Sequence, residues 1–269
     1  MLGTIIGSFL NVVVFRLPVM LEQDWKQQAN EILGKDVEPD DRVFNLVSPN
    51  SHCPTCLHEI KPWENIPLLS YTFLKGKCAY CGVSIPARYP LVELLTGIMT
   101  VVVVVVFGAT PLGLSACILT WALIALSVID YDTQLLPDNI TLPLLWLGLA
   151  VNYFDLVTSL QDAFIGACLG YLSLWSVFHL FKFVTGKEGM GYGDFKLLAM
   201  LGAWMGWQSV PLIIMLSSVA GALIGGGLIA LGRDKANPFS FGPYLAIAGW
   251  ITLIWGEDIT RSYLQFARL

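Results

Sequence analysis

At residues 189–196 the chain reads Gly189-Met190-Gly191-Tyr192-Gly193-Asp194-Phe195-Lys196, with three glycines in the five positions before one carboxylate. Apolar runs flank this segment on both sides, at residues 171–184 and 197–207. A carboxylate where the chain enters a membrane is costly, so Asp194 is a candidate functional residue. The glycines leave the backbone free of side chains, which predicts that another chain approaches Asp194 closely.

A group of acidic residues earlier in the chain makes this segment informative. Asp130, Asp132 and Asp138 fall within nine residues at the end of the third apolar run, with no Lys or Arg among them. The residues alone do not decide whether Asp130 or Asp132 is the partner of Asp194. Because Pro137-Asp138-Asn139 is typical of a helix start, we expect Asp138 to cap the next helix rather than to take part in chemistry.

The composition indicates an all-α polytopic membrane protein. Of the 269 residues, 55% are hydrophobic and 13% are charged, with a mean hydropathy of +0.67, whereas a soluble domain carries about 25% charged residues. Residues 16–88 hold 8 of the 15 Lys and Arg, and residues 89–181 hold none. This charge pattern predicts one polar insert. Because no basic patch is interleaved with aromatic residues, we expect no nucleic-acid partner.

About eight transmembrane helices are expected from the apolar runs. The first run covers only residues 1–15, short of the ~20 that a span needs, so the first helix is either tilted or begins upstream. The other spans are expected at residues 91–107, 112–129, 140–154, 163–184, 195–207, 210–231 and 243–255. Basic residues follow the first, fifth and seventh spans, which predicts that those loops, Asp130 and Asp194 face the cytoplasm.

The spans and the charges together divide the chain into three expected parts. The first span is expected to stop at Arg16-Leu17-Pro18, and a polar helix is expected within residues 19–42. We expect the apolar face of that helix, with Trp25 and Ile32, to pack on the rest of the insert; the alternative is a helix at the membrane interface. The three parts are the first span at 1–15, a cytoplasmic insert between helices 1 and 2 at 16–88, and a seven-span core at 89–269 whose residues 112–207 carry the candidate site.

Two CxxC pairs in the insert predict a structural zinc module. Cys53 and Cys56 form the first pair, and Cys78 and Cys81 form the second after a gap of 21 residues. Four thiolates complete a closed tetrahedral zinc site with no open position for water. Disulfides are the alternative, but they require an oxidising compartment, and the basic ends of the insert favour the cytoplasm. Two histidines flank the first pair and are expected beside the site or at the surface: His52 and His58.

Two acidic residues at one membrane face suggest aspartyl protease chemistry. Two carboxylates at hydrogen-bonding distance cannot both ionise cheaply, so they share one proton. The ionised carboxylate takes a proton from the attacking water, and the protonated one donates to the peptide carbonyl oxygen. The alternatives are an ion-translocating or structural acid pair, and a small membrane transporter with a zinc regulatory insert. A transporter would need acids near the bilayer midplane and matching halves, and we find no internal repeat.

Several motifs together identify a family. They are Gly7-Ser8-Phe9-Leu10-Asn11-Val12-Val13, both CxxC pairs, the segment 88–94, Ile129-Asp130 through Leu136-Pro137-Asp138, and residues 189–198. With these motifs the chain resembles the bacterial type IV prepilin peptidases, which are Gly-x-Gly-Asp membrane aspartyl proteases of the inner membrane. The resemblance covers nearly the whole chain. It implies that Asp130 and Asp194 are the catalytic pair and that Gly191 and Gly193 form the active-site loop.

The resemblance also implies the substrates and a second activity. The substrates would be type IV prepilins and type II secretion pseudopilins, cut after a glycine at the cytoplasmic face while the stem stays in the bilayer. Many members also methylate the new N-terminal amine with S-adenosylmethionine, and the zinc insert is associated with those members. Candidate methylation residues are Gly76 and Glu93, although Glu93 also suits an acid that extends from a span to the interface. Family members usually carry more residues before the Gly-Ser-Phe-Leu-Asn motif.

Overall fold

The structure of the chain is a computed structural model that describes residues 1–34, 44–230 and 240–267. In these residues the regular secondary structure is helical and no β-strand is present, which confirms the all-α class. Each helix except the short α2 contains or overlaps one expected span. The α-helices are α1 (Leu2–Ile32), α2 (Leu69–Phe73), α3 (Arg88–Phe107), α4 (Pro111–Thr133), α5 (Asp138–Tyr153), α6 (Leu160–Thr185), α7 (Tyr192–Met205), α8 (Val210–Ala230) and α9 (Gly242–Ala267).

The lengths of the helices support a multi-pass membrane protein. Within the described ranges, five segments are long and apolar enough to cross a membrane: α1, α3, α4, α6 and Trp207–Gly227, which contains most of α8. Helices α5 and α7 are shorter, with 16 and 14 residues. Helix α7 is nevertheless strongly apolar, and residues 197–206 are all buried.

The chain divides into two compact units, residues 1–102 and 103–269, with the boundary inside α3. In the first unit, α1 continues through Pro18 as far as Ile32, so the expected helix break at Pro18 is wrong. Proline removes a single backbone donor, and that loss does not end this helix. The side chain of Arg16 is buried, because its guanidinium donates hydrogen bonds to the carbonyls of Asn45 (2.9 Å) and Pro49 (2.6 Å).

The polar helix expected within residues 19–42 is therefore the second half of α1. Residues 35–42 of that expectation lie outside the described residues. The apolar face that was expected to pack on the insert is exposed, with Trp25 at 50% and Ile32 at 85% exposure. That expectation is wrong in the described part of the chain, since α1 continues as one helix to Ile32 and the described insert residues do not cover this face.

In the second unit, α7 is the central helix. It packs most extensively on α6, then on α5 and α9. Helices α6 and α7 approach closely because Gly166 and Gly202 face each other, with no room for a side chain on either. At the end of α7, Trp204 is 1% exposed and its indole N–H donates to the Leu144 carbonyl at 2.8 Å. The packing around α7 thus fixes where its first turn lies, and that turn carries Asp194.

Asn152 anchors the C-terminal end of α7. Its side chain is fully buried, and its amide nitrogen donates to the carbonyls of Ala203 and Trp204, both at 2.9 Å. Its amide oxygen accepts the backbone N–H groups of Val157 (3.3 Å) and Thr158 (3.0 Å). The two bonds from the amide nitrogen satisfy the Ala203 and Trp204 carbonyls, which lie at the C-terminus of α7 and have no partner within the helix.

Asn152→Ala is expected to destabilise the protein by roughly 2–4 kcal/mol, because two buried carbonyls and two partly buried N–H groups lose a partner and each unsatisfied group costs about 1–3 kcal/mol in isolation. Thermal unfolding of the purified protein in detergent measures the change. The control is Gln161→Ala, since Gln161 is an exposed residue in the first turn of α6. Equal stability of the Asn152→Ala and Gln161→Ala variants would contradict the anchoring role.

Candidate active site and cysteine cluster

Asp194 lies in the first turn of α7, at the end of the glycine-rich segment. Gly191 is the N-cap residue and has an extended backbone (φ −81°, ψ 150°). The amino end of a helix carries partial positive charge, which favours a carboxylate there. Asp194 is 6% exposed, and its Oδ1 atom is buried without a hydrogen-bond partner in the described part of the chain. A buried oxygen without a partner is rare in a native structure and calls for a functional explanation.

Asp130 lies in the last turn of α4, which ends at Gln134 in the left-handed region (φ 55°). Asp130 is 5% exposed. Its Oδ2 atom accepts hydrogen bonds from the Ser240 hydroxyl and from the Gly242 backbone N–H, the latter at 3.0 Å. Asp132, two residues further along α4, is exposed. The structure thus distinguishes the two acidic residues, which the sequence pattern left equivalent, by their burial.

The loop between α4 and α5 connects the regions that carry the two carboxylates. Its Leu136 is 8% exposed and packs on Gly193, where an added Cβ atom would lie 2.8 Å from the Leu136 Cβ. A Cβ atom added to Gly242 would lie 3.3 Å from the Leu136 Cδ1. Leu136 therefore contacts both the segment before Asp194 and the segment that binds Asp130. Through these contacts the loop lies beside the surroundings of both buried carboxylates.

The two glycines before Asp194 have different surroundings. At Gly193, the chain that approaches closely is the protein's own Leu136. At Gly191, the nearest atom to an added Cβ is the Asp194 Oδ2 at 3.8 Å, an ordinary contact distance. Gly191 is exposed, and a side chain there would meet no close neighbour among the described residues, whereas Gly193 is needed for internal packing.

Asp138 does not cap α5. The helix starts where the sequence predicts, but its N-cap is Pro137 and no side-chain cap bond is present. The Asp138 carboxylate instead accepts from the Lys196 ammonium, with its two oxygens at 2.8 and 2.7 Å from Nζ. The cap prediction is wrong because a cation 58 residues away in the chain competes for the carboxylate.

Four residues of this region were missed from the sequence: Leu136, Lys196, Ser240 and Gly242. Lys196 and Leu136 lie inside the motifs already quoted, but neither is a typical catalytic residue type. Ser240 precedes α9 and Gly242 is its first residue, in the run Ser240-Phe241-Gly242-Pro243. A small hydroxyl residue and a glycine before a helix-starting proline are a weak signal, and their contact with Asp130 spans 110 residues.

The four cysteines of the insert form one cluster. Their Sγ atoms all lie within 4.8 Å of one another, with Cys53 and Cys81 at 3.8 Å and Cys56 and Cys78 at 4.0 Å. A tetrahedral zinc ion with Zn–S distances of about 2.3 Å places its sulfurs about 3.8 Å apart. The described cysteines therefore fit a zinc ion without rearrangement.

The backbone of each CxxC pair is folded as a tight turn. The Cys53 N–H donates to the His58 carbonyl at 2.9 Å, and the Cys78 N–H donates to the Val83 carbonyl at 2.9 Å. Backbone N–H groups of Cys56 and Thr55 lower the pKa of the Cys53 thiol to about 6, whereas, despite the His58 N–H, burial and the neighbouring sulfurs raise the pKa of the Cys56 thiol to about 11. A lowered pKa favours the thiolate, which is the form that binds metal.

The two histidines beside the first pair are outside this cluster of sulfurs. The His58 ring stacks on Tyr80 with ring centroids 3.4 Å apart. The His52 Nδ1 lies 3.2 Å from the Asn50 carbonyl. Both positions agree with the expectation that the histidines lie beside the site rather than in it.

The two candidate methylation residues lie in the first unit. Gly76 has a left-handed backbone (φ 68°), and an added Cβ would lie 2.9 Å from the Tyr71 ring. Glu93 is 8% exposed, and its Oε2 accepts the Leu68 backbone N–H at 2.8 Å. The Glu93 bond joins α3 to the insert, and the Gly76 contact is internal to the insert.

Comparison with known families accounts for both units. The model of the bacterial peptidase A24 N-terminal domain matches residues 1–107, and that of the type IV leader peptidase family matches residues 117–226. No solved structure matches.

Three curated relatives show how far the similarity extends, and each is described as a prepilin leader peptidase/N-methyltransferase. The protein from Pseudomonas aeruginosa is 60% identical over 99% of this chain and 92% of its own length. The protein from Stutzerimonas stutzeri is 58% identical over 100% of this chain and 93% of its own length. The protein from Dichelobacter nodosus is 48% identical over 97% of this chain and 92% of its own length.

Proposed function

Because the chain belongs to the type IV leader peptidase family, we propose that it cleaves the leader from type IV prepilins and from type II secretion pseudopilins after a glycine. The same protein then methylates the new N-terminal amine with S-adenosylmethionine. The observation that supports the peptidase activity best is that Asp130 of α4 and Asp194 of α7 are both buried, and that Leu136 contacts the segments around both of them. The descriptions of the curated relatives support both activities.

In the proposed cleavage, Asp130 is the ionised carboxylate and Asp194 is the protonated one. The two hydrogen bonds to the Asp130 Oδ2 favour its charged form. Asp130 takes a proton from water, the water oxygen bonds to the scissile carbonyl carbon, and Asp194 gives its proton to the carbonyl oxygen. The C–N bond then breaks, and the leaving nitrogen takes the proton from Asp130. The proton on the tetrahedral oxygen returns to Asp194 as the new carboxyl group forms.

We propose that the site lies at the cytoplasmic face of the inner membrane. The basic residues after the first, fifth and seventh spans support this orientation. The prepilin stem would stay in the bilayer beside the helices, with its leader extended past Gly191. The space beside Gly191 supports this path, because the nearest atom to an added Cβ is 3.8 Å away.

The methyl transfer is supported by the relatives and by the insert. S-adenosylmethionine would supply an electrophilic methyl group to the free amine, and the amine would lose a proton. Gly76 and Glu93 stay proposed methylation residues. Because their contacts are internal to the first unit, their contribution would be to hold the insert in shape for the donor.

We also propose that Cys53, Cys56, Cys78 and Cys81 bind one structural zinc ion. The ion would supply a cross-link between the two CxxC turns of a small insert that has few buried apolar residues. The separations between their sulfurs support this.

Cys53→Ser is expected to remove the bound zinc and to make the insert susceptible to limited proteolysis, because a three-thiolate site loses much of its affinity. Methylation is expected to fall more than cleavage, since the proposed dyad lies in the other unit. Zinc per protein chain is measured by elemental mass spectrometry. The control is Cys168→Ser, which changes an exposed cysteine of α6 outside the cluster. A full zinc content in the Cys53→Ser variant would contradict the site.

The experiment that tests the function uses purified protein in lipid nanodiscs, a prepilin with its leader and stem, and labelled S-adenosylmethionine. Mass spectrometry is expected to show a cut after the glycine and a methyl group on the new N-terminus. A prepilin that stays intact with folded wild-type protein would contradict the proposal.

A further inference from the structure

The ion pair between Lys196 and Asp138 has no part in the cleavage steps above, yet it lies beside both carboxylates in the chain. Lys196 is two residues after Asp194, and Asp138 is eight residues after Asp130. The ammonium contacts both carboxylate oxygens, at 2.8 and 2.7 Å. The two side chains are partly exposed, at 32% for Lys196 and 48% for Asp138.

The ion pair is the second of two contacts that join the same two segments. In the first, Leu136 packs on Gly193, the residue before Asp194. In the second, Asp138 binds Lys196. The two contacts lie on either side of Asp194 in the chain. Leu136 also contacts Gly242, whose N–H binds Asp130. The segment from Leu136 to Asp138, at the start of α5, therefore contacts the residues that position both carboxylates.

We propose that Lys196 and Asp138 are positioning residues, which hold the first turn of α7 at a fixed register against the α4–α5 loop and so set the separation of Asp130 and Asp194. This inference rests on the proposed peptidase function. The pair touches neither water nor substrate in the cleavage steps, so it acts only through Asp194.

A positioning role and a purely structural role predict different results. Partly exposed ion pairs contribute little to folding stability, so loss of this pair should hardly change thermal unfolding. A displacement of about 1 Å in a catalytic group can lower the rate by roughly 100-fold. A positioning role therefore predicts a large fall in kcat without a matching loss of stability. A role in attracting substrate would instead raise KM.

The experiment compares Lys196→Ala, Asp138→Ala, the conservative Lys196→Arg and the reversed pair Lys196→Asp/Asp138→Lys in the prepilin assay. Each single alanine variant is expected to lower kcat by about 10- to 100-fold with KM and the unfolding temperature nearly unchanged. Lys196→Arg and the reversed pair are expected to recover most of the wild-type kcat, because each restores an ion pair between the segments. The control is Lys187→Ala, which removes an exposed cation from the loop before α7.

Three results would overturn the inference. The first is a wild-type kcat in both single alanine variants. The second is a reversed pair that folds but is no more active than the single variants, since that result would mean that activity depends on a lysine at position 196 and not on the ion pair. The third is a fall in kcat that matches the loss of stability. If wild-type protein does not cut prepilin at all, the proposed function fails and the inference fails with it. If wild-type protein cuts prepilin but one of the three results is found, only the inference fails.

Discussion

Asp194→Asn is expected to lower kcat for leader cleavage by at least about 1,000-fold, and Asp130→Asn is expected to do the same. General acid–base catalysis contributes about 10²- to 10⁴-fold, and an amide can neither accept nor donate the required proton. Asparagine has nearly the size of aspartate, so both variants are expected to fold. The measurement is single-turnover cleavage of a prepilin by the purified variants, with thermal unfolding as the check on folding.

Asp132→Asn is the matched control for the two active-site variants. Asp132 is exposed and lies two residues from Asp130 on the same helix, so the variant has the same charge change nearby. Its kcat is expected to stay within about 3-fold of wild type, because surface substitutions have small effects. Methylation of a prepilin that has already been cut is expected to persist in all three variants. A folded Asp194→Asn variant that cuts at the wild-type rate would contradict the role of Asp194.

Gly193→Ala is expected to have the second largest effect, a fall in cleavage of at least about 100-fold. The added Cβ would lie 2.8 Å from the Cβ of Leu136, which is too close for two carbon atoms. Leu136 is 8% exposed and its Cβ is tied to the backbone, so the first turn of α7 must shift instead. That shift would carry Asp194 away from Asp130. Kinetics on purified protein give kcat.

Gly191→Ala provides the matched control, because it is the same substitution two residues away. Its Cβ would meet no atom closer than 3.8 Å, and the backbone angles at Gly191 suit any residue. Cleavage is therefore expected to stay within about 10-fold of wild type, with any loss seen in KM as the substrate path narrows. The double variant Leu136→Ala/Gly193→Ala is expected to regain part of the lost kcat. Equal losses in kcat for the two alanine variants would contradict the packing argument.

The sequence was sufficient to predict the features that depend on neighbouring residues. Long apolar runs predict helices because a membrane leaves few alternatives for the backbone, and the all-α class follows. The CxxC spacing predicts a cluster because each pair presents two thiolates from one turn. The apolar run after Asp194 predicts a span at residues 195–207, and α7 (Tyr192–Met205) covers most of it but begins three residues earlier, so that Asp194 lies in its first turn.

The features that the sequence did not predict depend on pairs that are distant in the chain. The bond from Ser240 to Asp130 spans 110 residues, and the pair of Lys196 with Asp138 spans 58. Such contacts follow from how helices pack, and a single sequence shows no trace of that packing. The wrong prediction that Asp138 caps α5 has the same origin. The burial of Asp130 and the exposure of Asp132 likewise follow from which side of α4 faces α9.

The most direct test of the aspartyl mechanism measures binding at the two carboxylates. The ligand is a prepilin leader–stem peptide in which a secondary alcohol replaces the scissile carbonyl, and the matched control peptide has a methylene there. Wild-type protein and Asp132→Asn are expected to bind the alcohol at least about 100-fold more tightly than the methylene peptide, since a transition-state mimic gains contacts with both carboxyls. Asp130→Asn and Asp194→Asn are expected to lose that preference. A wild-type protein that binds both peptides equally, or a preference that persists in both active-site variants, would contradict the account.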